Sequence, residues 1–269
     1  MKIICDIGII RGTSYDVLNG LKDRLHVPRM AIDEILSTSD ISDPESIVRV
    51  EHTLKKIQLL DKEYSLKTLL PEEVILSASG LHSLPPLPSA TYMEHNISAI
   101  LNNADGSNDK IISMLINQAK RAENWEVNFS EVIKVFIKKI VADLADYKVD
   151  SAIPFYALEL PIQQIFIKYS EAYWEYRTKL FVEKLHQRDY LTLLNGKSLS
   201  YGYNHLIIDV WAAYLYYRYV TGGASTNDQF DLKYFVYLFE GDMLWTRDKM
   251  PRKIISEHLN RSELLFEYP

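Results

Sequence analysis

The sequence predicts an α/β protein: a parallel β-sheet flanked by helices, interrupted by a large and mostly α-helical insertion. Three observations predict it. Strand-like and helix-like runs alternate from Lys2 to Leu36, the rhythm of a parallel sheet with crossover helices. A second helix-and-strand unit lies near the other end, from Thr226 to Asp248. Between them, residues 45–200 repeat their apolar positions at helical spacing. The simplest reconciliation is one domain built from about 1–40 and 205–269, with about 45–200 as the insertion.

Lys2 to Ile10 reads as a strand, apolar at Ile3, Ile4 and Cys5 and abruptly acidic at Asp6, with Gly8 following. Ser14 to Lys22 reads as a helix, and Leu25-His26-Val27 as a short strand ended by Pro28. Met30 to Leu36 is helical again, with Ile32, Ile35 and Leu36 apolar and Asp33-Glu34 acidic. Ser37 to Glu45 is a polar linker whose Asp43-Pro44-Glu45-Ser46 opens a helix, continued by the periodic run Ile47 to Leu60. Pro71-Glu72-Glu73 can open another helix, or Val74-Ile75-Leu76 can be a strand; the pattern allows both. Leu84 to Ser89, with three prolines, and Asn102 to Asp109 read as loops. Helices are predicted over Asp109 to Glu123, Ser130 to Tyr147 and Pro161 to Leu185, and a turn at Asn195-Gly196. Leu206 to Val220 is an apolar, aromatic helix stopped by Gly222-Gly223. Its Trp211, Tyr214, Tyr216, Tyr217 and Tyr219 are expected to pack a core rather than stack on bases.

The last unit starts at Thr226-Asn227, both good helix caps, with Asp228 and Asp231 close behind. Gly241-Asp242 is a tight turn, and Met243 to Thr246 a continuous apolar strand of the buried parallel kind. Thr246, Arg247 and Asp248 fall at its carboxyl end, where open α/β sheets bind ligands. Two acidic clusters, one at a helix start and one at a strand exit, are thereby expected to form half of a divalent-metal site.

Composition narrows the function classes. With 269 residues the chain is long for one domain and short for two, and 47% apolar with 25% charged residues is an ordinary globular make-up. A net charge of −6 excludes a generic basic coat for nucleic acid, yet leaves room for a nuclease with local lysines and arginines. The single cysteine, Cys5, cannot form an internal disulfide, which suits a reducing, cytoplasmic setting. The first apolar run is broken by Asp6 and ends at Arg11, so no secretory signal is expected, and no membrane span. The seven histidines show no zinc spacing, and no glycine-rich phosphate loop occurs.

Asp6 after the first strand, Glu34 on an early helix, Asp231 on a late helix and Asp248 in Thr246-Arg247-Asp248 form an ordered set. In that order and context the two ends resemble a PIN domain, a small α/β metal-dependent nuclease fold. The resemblance implies a PIN-like parallel sheet and a hydrolase cleaving phosphodiesters with Mg²⁺ or Mn²⁺, and RNA rather than DNA as substrate. It implies Asp6, Asp231 and Asp248 as metal ligands, with Glu34 as a ligand through water or a residue positioning it. Asp228 lies one turn before Asp231, so either could be the ligand; its distance to Thr246 favours Asp231. Converging carboxylates repel one another unless a hard cation sits among them. Thr246 would hold a carboxylate or a phosphate oxygen, and Arg247, Lys249, Arg252 and Lys253 form a basic cluster suited to phosphate.

Taken singly, each of these acids is an ordinary cap or solvated side chain; only the ordered set raises the site above that reading. Ile7-Gly8 stands where the family has a small polar pair, which supports a rival reading: a PIN-like module with a weakened site whose helical insertion holds a protein partner. A homodimer is compatible with either.

Overall fold

The computed structural model describes residues 1–37, 39–60, 70–79, 108–123, 129–185, 192, 205–224 and 226–268. The expected loops at Leu84 to Ser89 and most of Asn102 to Asp109, and the turn at Asn195-Gly196, lie outside the described residues. Within them the protein is mixed α/β and mostly helical, around a small parallel sheet.

The sheet has three strands in the order β2-β1-β3: β1 (Ile3–Cys5), β2 (Leu25–His26) and β3 (Met243–Trp245). All pair parallel, Ile3 facing Leu25 and Met243, and Cys5 facing Trp245. Ile3, Ile4 and Cys5 are fully buried, as a central strand covered on both faces must be. The turn into β3 is locked to the other end of the chain: Lys2 donates its backbone N–H to Asp242 Oδ1 at 2.7 Å, and Gly241 takes φ 82°. A further pairing was not expected from the sequence. Leu265 bridges to Leu244 in parallel, and the Phe266 N–H donates to Leu244 O at 2.8 Å, so the C-terminal segment lines the outer edge of β3.

The strand expected over Lys2 to Ile10 stops at Cys5. Asp6 caps a helix, α1 (Ile7–Gly12), its Oδ1 accepting the Ile9 N–H at 2.7 Å. The β-branched Ile7, Ile9 and Ile10 favour a strand, but the cap starts a helix and the three isoleucines become its buried side. α2 (Tyr15–Gly20) and α3 (Arg29–Ser37) follow as expected, and the ambiguous segment is a helix, α5 (Pro71–Ala78). Between them α4 (Pro44–Leu60) packs on α1, α2 and α3.

The middle helices are α6 (Asn108–Glu123), α7 (Phe129–Asp143) and α8 (Leu160–Leu185). Then come α9 (His205–Thr221) and α10 (Thr226–Lys233). Thr226 and Asn227 are therefore inside the first turn of α10 rather than caps before it, and α10 tightens into a 3₁₀ turn at Tyr234–Tyr237. α9 ends where Gly222 and Gly223 adopt φ 70° and 65°. Its Trp211 and Tyr214 are buried against Phe129 of α7 and Tyr173 of α8, with Tyr173 stacked on Trp211 at 4.1 Å. Those aromatics are core, not a base platform. α6 packs on α3 and α4, and the buried apolar residues run as one cluster from Ile3 to Leu265. A buried ion pair, Arg177 to Glu72 at 2.8 Å, ties α8 to α5. No helix among the described residues is long and apolar enough to cross a membrane.

Candidate metal centre

Parallel pairing puts the carboxyl ends of β1 and β3 side by side, and the acids follow from that. Asp6 is the residue after β1, and its backbone N–H donates to Trp245 O at 3.2 Å. Thr246 is the residue after β3, and its hydroxyl accepts the Asp248 N–H at 3.0 Å. Asp248 then caps a short helix, α11 (Lys249–Lys253). Glu34 reaches the same edge from α3 and Asp231 from α10. The four acids sense one another: Asp248, Glu34 and Asp6 each raise Asp231, and Asp6 and Asp248 each raise Glu34.

Burial sets the protonation of this group, and repulsion adds to it. The Asp231 carboxyl is pushed up to about 8, by burial first and then by Asp248, Glu34, Asp228 and Asp6. Burial likewise lifts Glu34 to about 7, opposed by a hydrogen bond from Tyr234 and by the charge of Arg11. Asp6 is raised by burial against the pull of Thr246 and the Ile9 N–H. Asp248 stands more exposed at the mouth, and only the partial covering of its carboxyl raises it.

Asp228 is committed elsewhere. The Tyr214 hydroxyl donates to its Oδ2 at 2.8 Å, and Arg218 pairs with the same oxygen. Of the two candidates that helical spacing left open, Asp231 is the one whose carboxyl is raised by Asp6, Glu34 and Asp248, while Asp228 is engaged through Oδ2 by Tyr214 and Arg218.

The donor set fits a hard divalent cation. All four groups offer oxygens, and Asp6 Oδ2 is buried with no hydrogen-bond partner among the described residues, the Thr246 hydroxyl lying near the carboxylate. A buried carboxylate oxygen left this way is unfavourable unless a cation or proton reaches it. As they stand, no three such side chains among the described residues are gathered closely enough to hold an ion.

No protein-family model, no curated protein and no solved structure matches the chain.

Beside the acids, and sharing Thr246 with them, is a cleft of about 370 Å³ lined by Gly12, Thr13, Arg247, Arg252, Glu267 and Tyr268, among others. Arg247 is exposed and makes two long hydrogen bonds, to Gly12 O and Thr13 Oγ1, each 3.4 Å. Arg252 donates to Thr246 O at 3.3 Å and pairs with Glu267. Lys249 is exposed on α11, outside that lining. Thr246 itself is 2% exposed, with its hydroxyl taken by Asp248 and lying near Asp6. The hydroxyl is thus engaged by a backbone N–H, and its pull on the Asp6 carboxyl sets it beside the acids.

Two residues at the centre carried no sequence signal. Tyr234 is buried, and its hydroxyl donates to Glu34 Oε2 at 2.8 Å while accepting the Ile7 N–H at 3.3 Å. It fastens Glu34 to the start of α1, directly after Asp6. Arg11, in the last turn of α1, is the cation acting on Glu34. A hydropathy pattern shows a tyrosine among aromatics and a helix-ending arginine, and neither reveals a partner on α3.

Proposed function

We propose that this protein is a divalent-metal-dependent phosphodiesterase of PIN-like type that hydrolyses RNA. One observation carries the reading. Acids from the two ends of the chain converge on one sheet edge, where burial and repulsion hold them protonated upward and leave Asp6 Oδ2 without a partner. Such an arrangement is unfavourable in isolation and becomes favourable around a cation. Asp6, Asp231 and Asp248 are the residues that would hold Mg²⁺ or Mn²⁺. The metal, when bound, supplies charge neutralisation and an activated water for attack on phosphorus.

The chain's own residues do the rest. Tyr234 holds Glu34 where it can orient the attacking water, and a carboxyl titrating near neutrality is suited to take that water's proton. As the water oxygen bonds to phosphorus, the ester P–O bond breaks and the departing oxygen takes a proton from solvent, giving a phosphomonoester and a free hydroxyl, while Glu34 returns the water's proton to solvent. Arg247 and Arg252 balance the phosphate charge beside the acids. RNA rather than DNA rests on the resemblance of the two ends to PIN domains.

The test is cleavage of labelled RNA in Mn²⁺ by the full chain and by Asp248→Asn, with Mn²⁺ binding followed by calorimetry. Metal-dependent cleavage that disappears in the variant supports the reading. A folded protein that neither binds Mn²⁺ nor cleaves any strand overturns it.

A further inference from the structure

The cleft next to the acids has a second chemistry that phosphate holding does not use. Tyr268 is half exposed and lies stacked on Trp245 with ring centroids 5.8 Å apart and planes within 13°. Trp245 is itself buried and braced edge-on by Phe266, so the Tyr268 ring is backed by a rigid wall. Strand pairing of Leu265 and Phe266 with Leu244 fixes the backbone just before it. A ring held flat at the rim of a cleft is a stacking surface, and two guanidinium groups line the same cleft.

The guanidinium groups differ. Arg247 has no carboxylate partner among the described residues, and Gly12 makes room for it: a Cβ there would meet Arg247 Nη1 at 2.8 Å. Arg252 is engaged by Glu267, in a pair exposed enough to be weak. Glu267 is the acid lining the cleft among the described residues, and a phosphate, with its bidentate fit to guanidinium, competes with it for Arg252.

We infer that this cleft is a nucleotide subsite for single-stranded nucleic acid, in which one base stacks on Tyr268 and the adjoining phosphate sits between Arg247 and Arg252 after displacing Glu267. The inference rests on the nuclease reading for its direction and adds what that reading lacks, a reason for substrate form. A base paired in a duplex presents no free face to Tyr268, so strands are held and duplexes are not. Thr246 belongs to both cleft and acid centre, so a strand seated here passes directly to the carboxylates.

The experiment is fluorescence anisotropy with a short labelled oligouridine, the matching deoxy strand and a duplex, in EDTA so that nothing is cleaved. Tyr268→Ala should weaken strand binding by about 5- to 100-fold and Tyr268→Phe should restore it. Arg247→Ala should weaken every strand and lower the salt slope by about 0.7. Gly12→Ala favours the helix yet displaces Arg247, and should reproduce that loss in a protein that melts no lower than the parent. Glu267→Gln should tighten binding. Equal affinity for the RNA and deoxy strands still supports a base-and-phosphate subsite. Variants that bind as tightly as the parent, or a duplex bound as tightly as a strand, overturn the proposal. Failures separate cleanly: cleavage with unaffected subsite variants leaves the nuclease and removes the subsite. Strand binding lost in Tyr268→Ala by a protein that cleaves nothing does the reverse.

Discussion

Replacing Asp231 by asparagine should stabilise the metal-free protein, and only on the alkaline side. The Asp231 carboxyl titrates at about 8 in the folded protein against 3.8 ordinarily. The unfolded chain gives up that proton near the lower value and the folded chain near the higher one. Stability is therefore full at acid pH and is lost as pH rises across the window. At about 1.4 kcal/mol for each unit, the whole shift corresponds to roughly 6 kcal/mol. That is a ceiling, because Asp248 and Glu34 share the repulsion and can move or protonate themselves, and a buried amide lacking a partner forfeits about 1–3 kcal/mol. A net gain of about 2 kcal/mol remains, or about 4–8 °C in Tm for a chain of this size. Circular-dichroism melts in EDTA at alkaline and at acid pH measure it, and repeats in Mn²⁺ complete it. The parent should gain stability from Mn²⁺, by about 2.7 kcal/mol at a hundredfold excess over Kd, and Asp231→Asn should gain little. An unchanged or lowered Tm at alkaline pH, or the same rise at acid pH, would refute the electrostatic account of the site.

Asp248→Asn, at an exposed position, should leave Tm nearly unchanged at acid pH while lowering RNA cleavage by about 100-fold or more, since a lost ligand removes several kcal/mol of charge stabilisation; steady-state cleavage assays decide it. Tyr234→Phe keeps the ring but removes the hydroxyl that pulls Glu34 down, so the Glu34 carboxyl moves further up. Cleavage should fall about tenfold and its acidic limb should shift to higher pH, read from a rate–pH profile. Arg177→Met strands the Glu72 carboxylate in the core and should lower stability by about 3–5 kcal/mol in urea titrations, whereas Arg177→Met with Glu72→Leu should recover most of the loss.

How far the sequence carries depends on whether a residue's partner is local. Ile3-Ile4-Cys5 and Met243-Leu244-Trp245 announce buried parallel strands because burial on two faces removes alternation, and both are strands. Helical spacing likewise predicts α4, α6, α7, α8 and α9 to within a few residues. The spacing of Asp228 and Asp231 cannot choose between them, because the choice is made by Tyr214 and Arg218 on a different helix. Tyr234 sits in Tyr-Phe-Val-Tyr, where any of the rings could be core; its role comes from Glu34, whose position in the chain is remote. The C-terminal segment has no strand length of its own, and its pairing depends on β3 having an open edge.

Asp6 shows why the site residues look dull one at a time. Its Oδ1 is consumed by the Ile9 N–H, so as a helix cap it is locally complete and needs no further explanation. That same bond fixes the carboxylate and leaves Oδ2 buried, without a hydrogen-bond partner among the described residues. A cap on an exposed helix would have water on that oxygen. Here the end of the neighbouring strand β3 brings Thr246 and Asp248 instead, one of which favours the charged carboxylate while the other repels it. The unfavourable half of the carboxylate is thus a product of the sheet pairing, not of the local sequence. A chain that needed only a cap at this point would be served by serine or asparagine, neither of which carries a charge into the core. The charge at this position is therefore a feature the cap alone does not require, and it is the feature on which the proposed metal site rests.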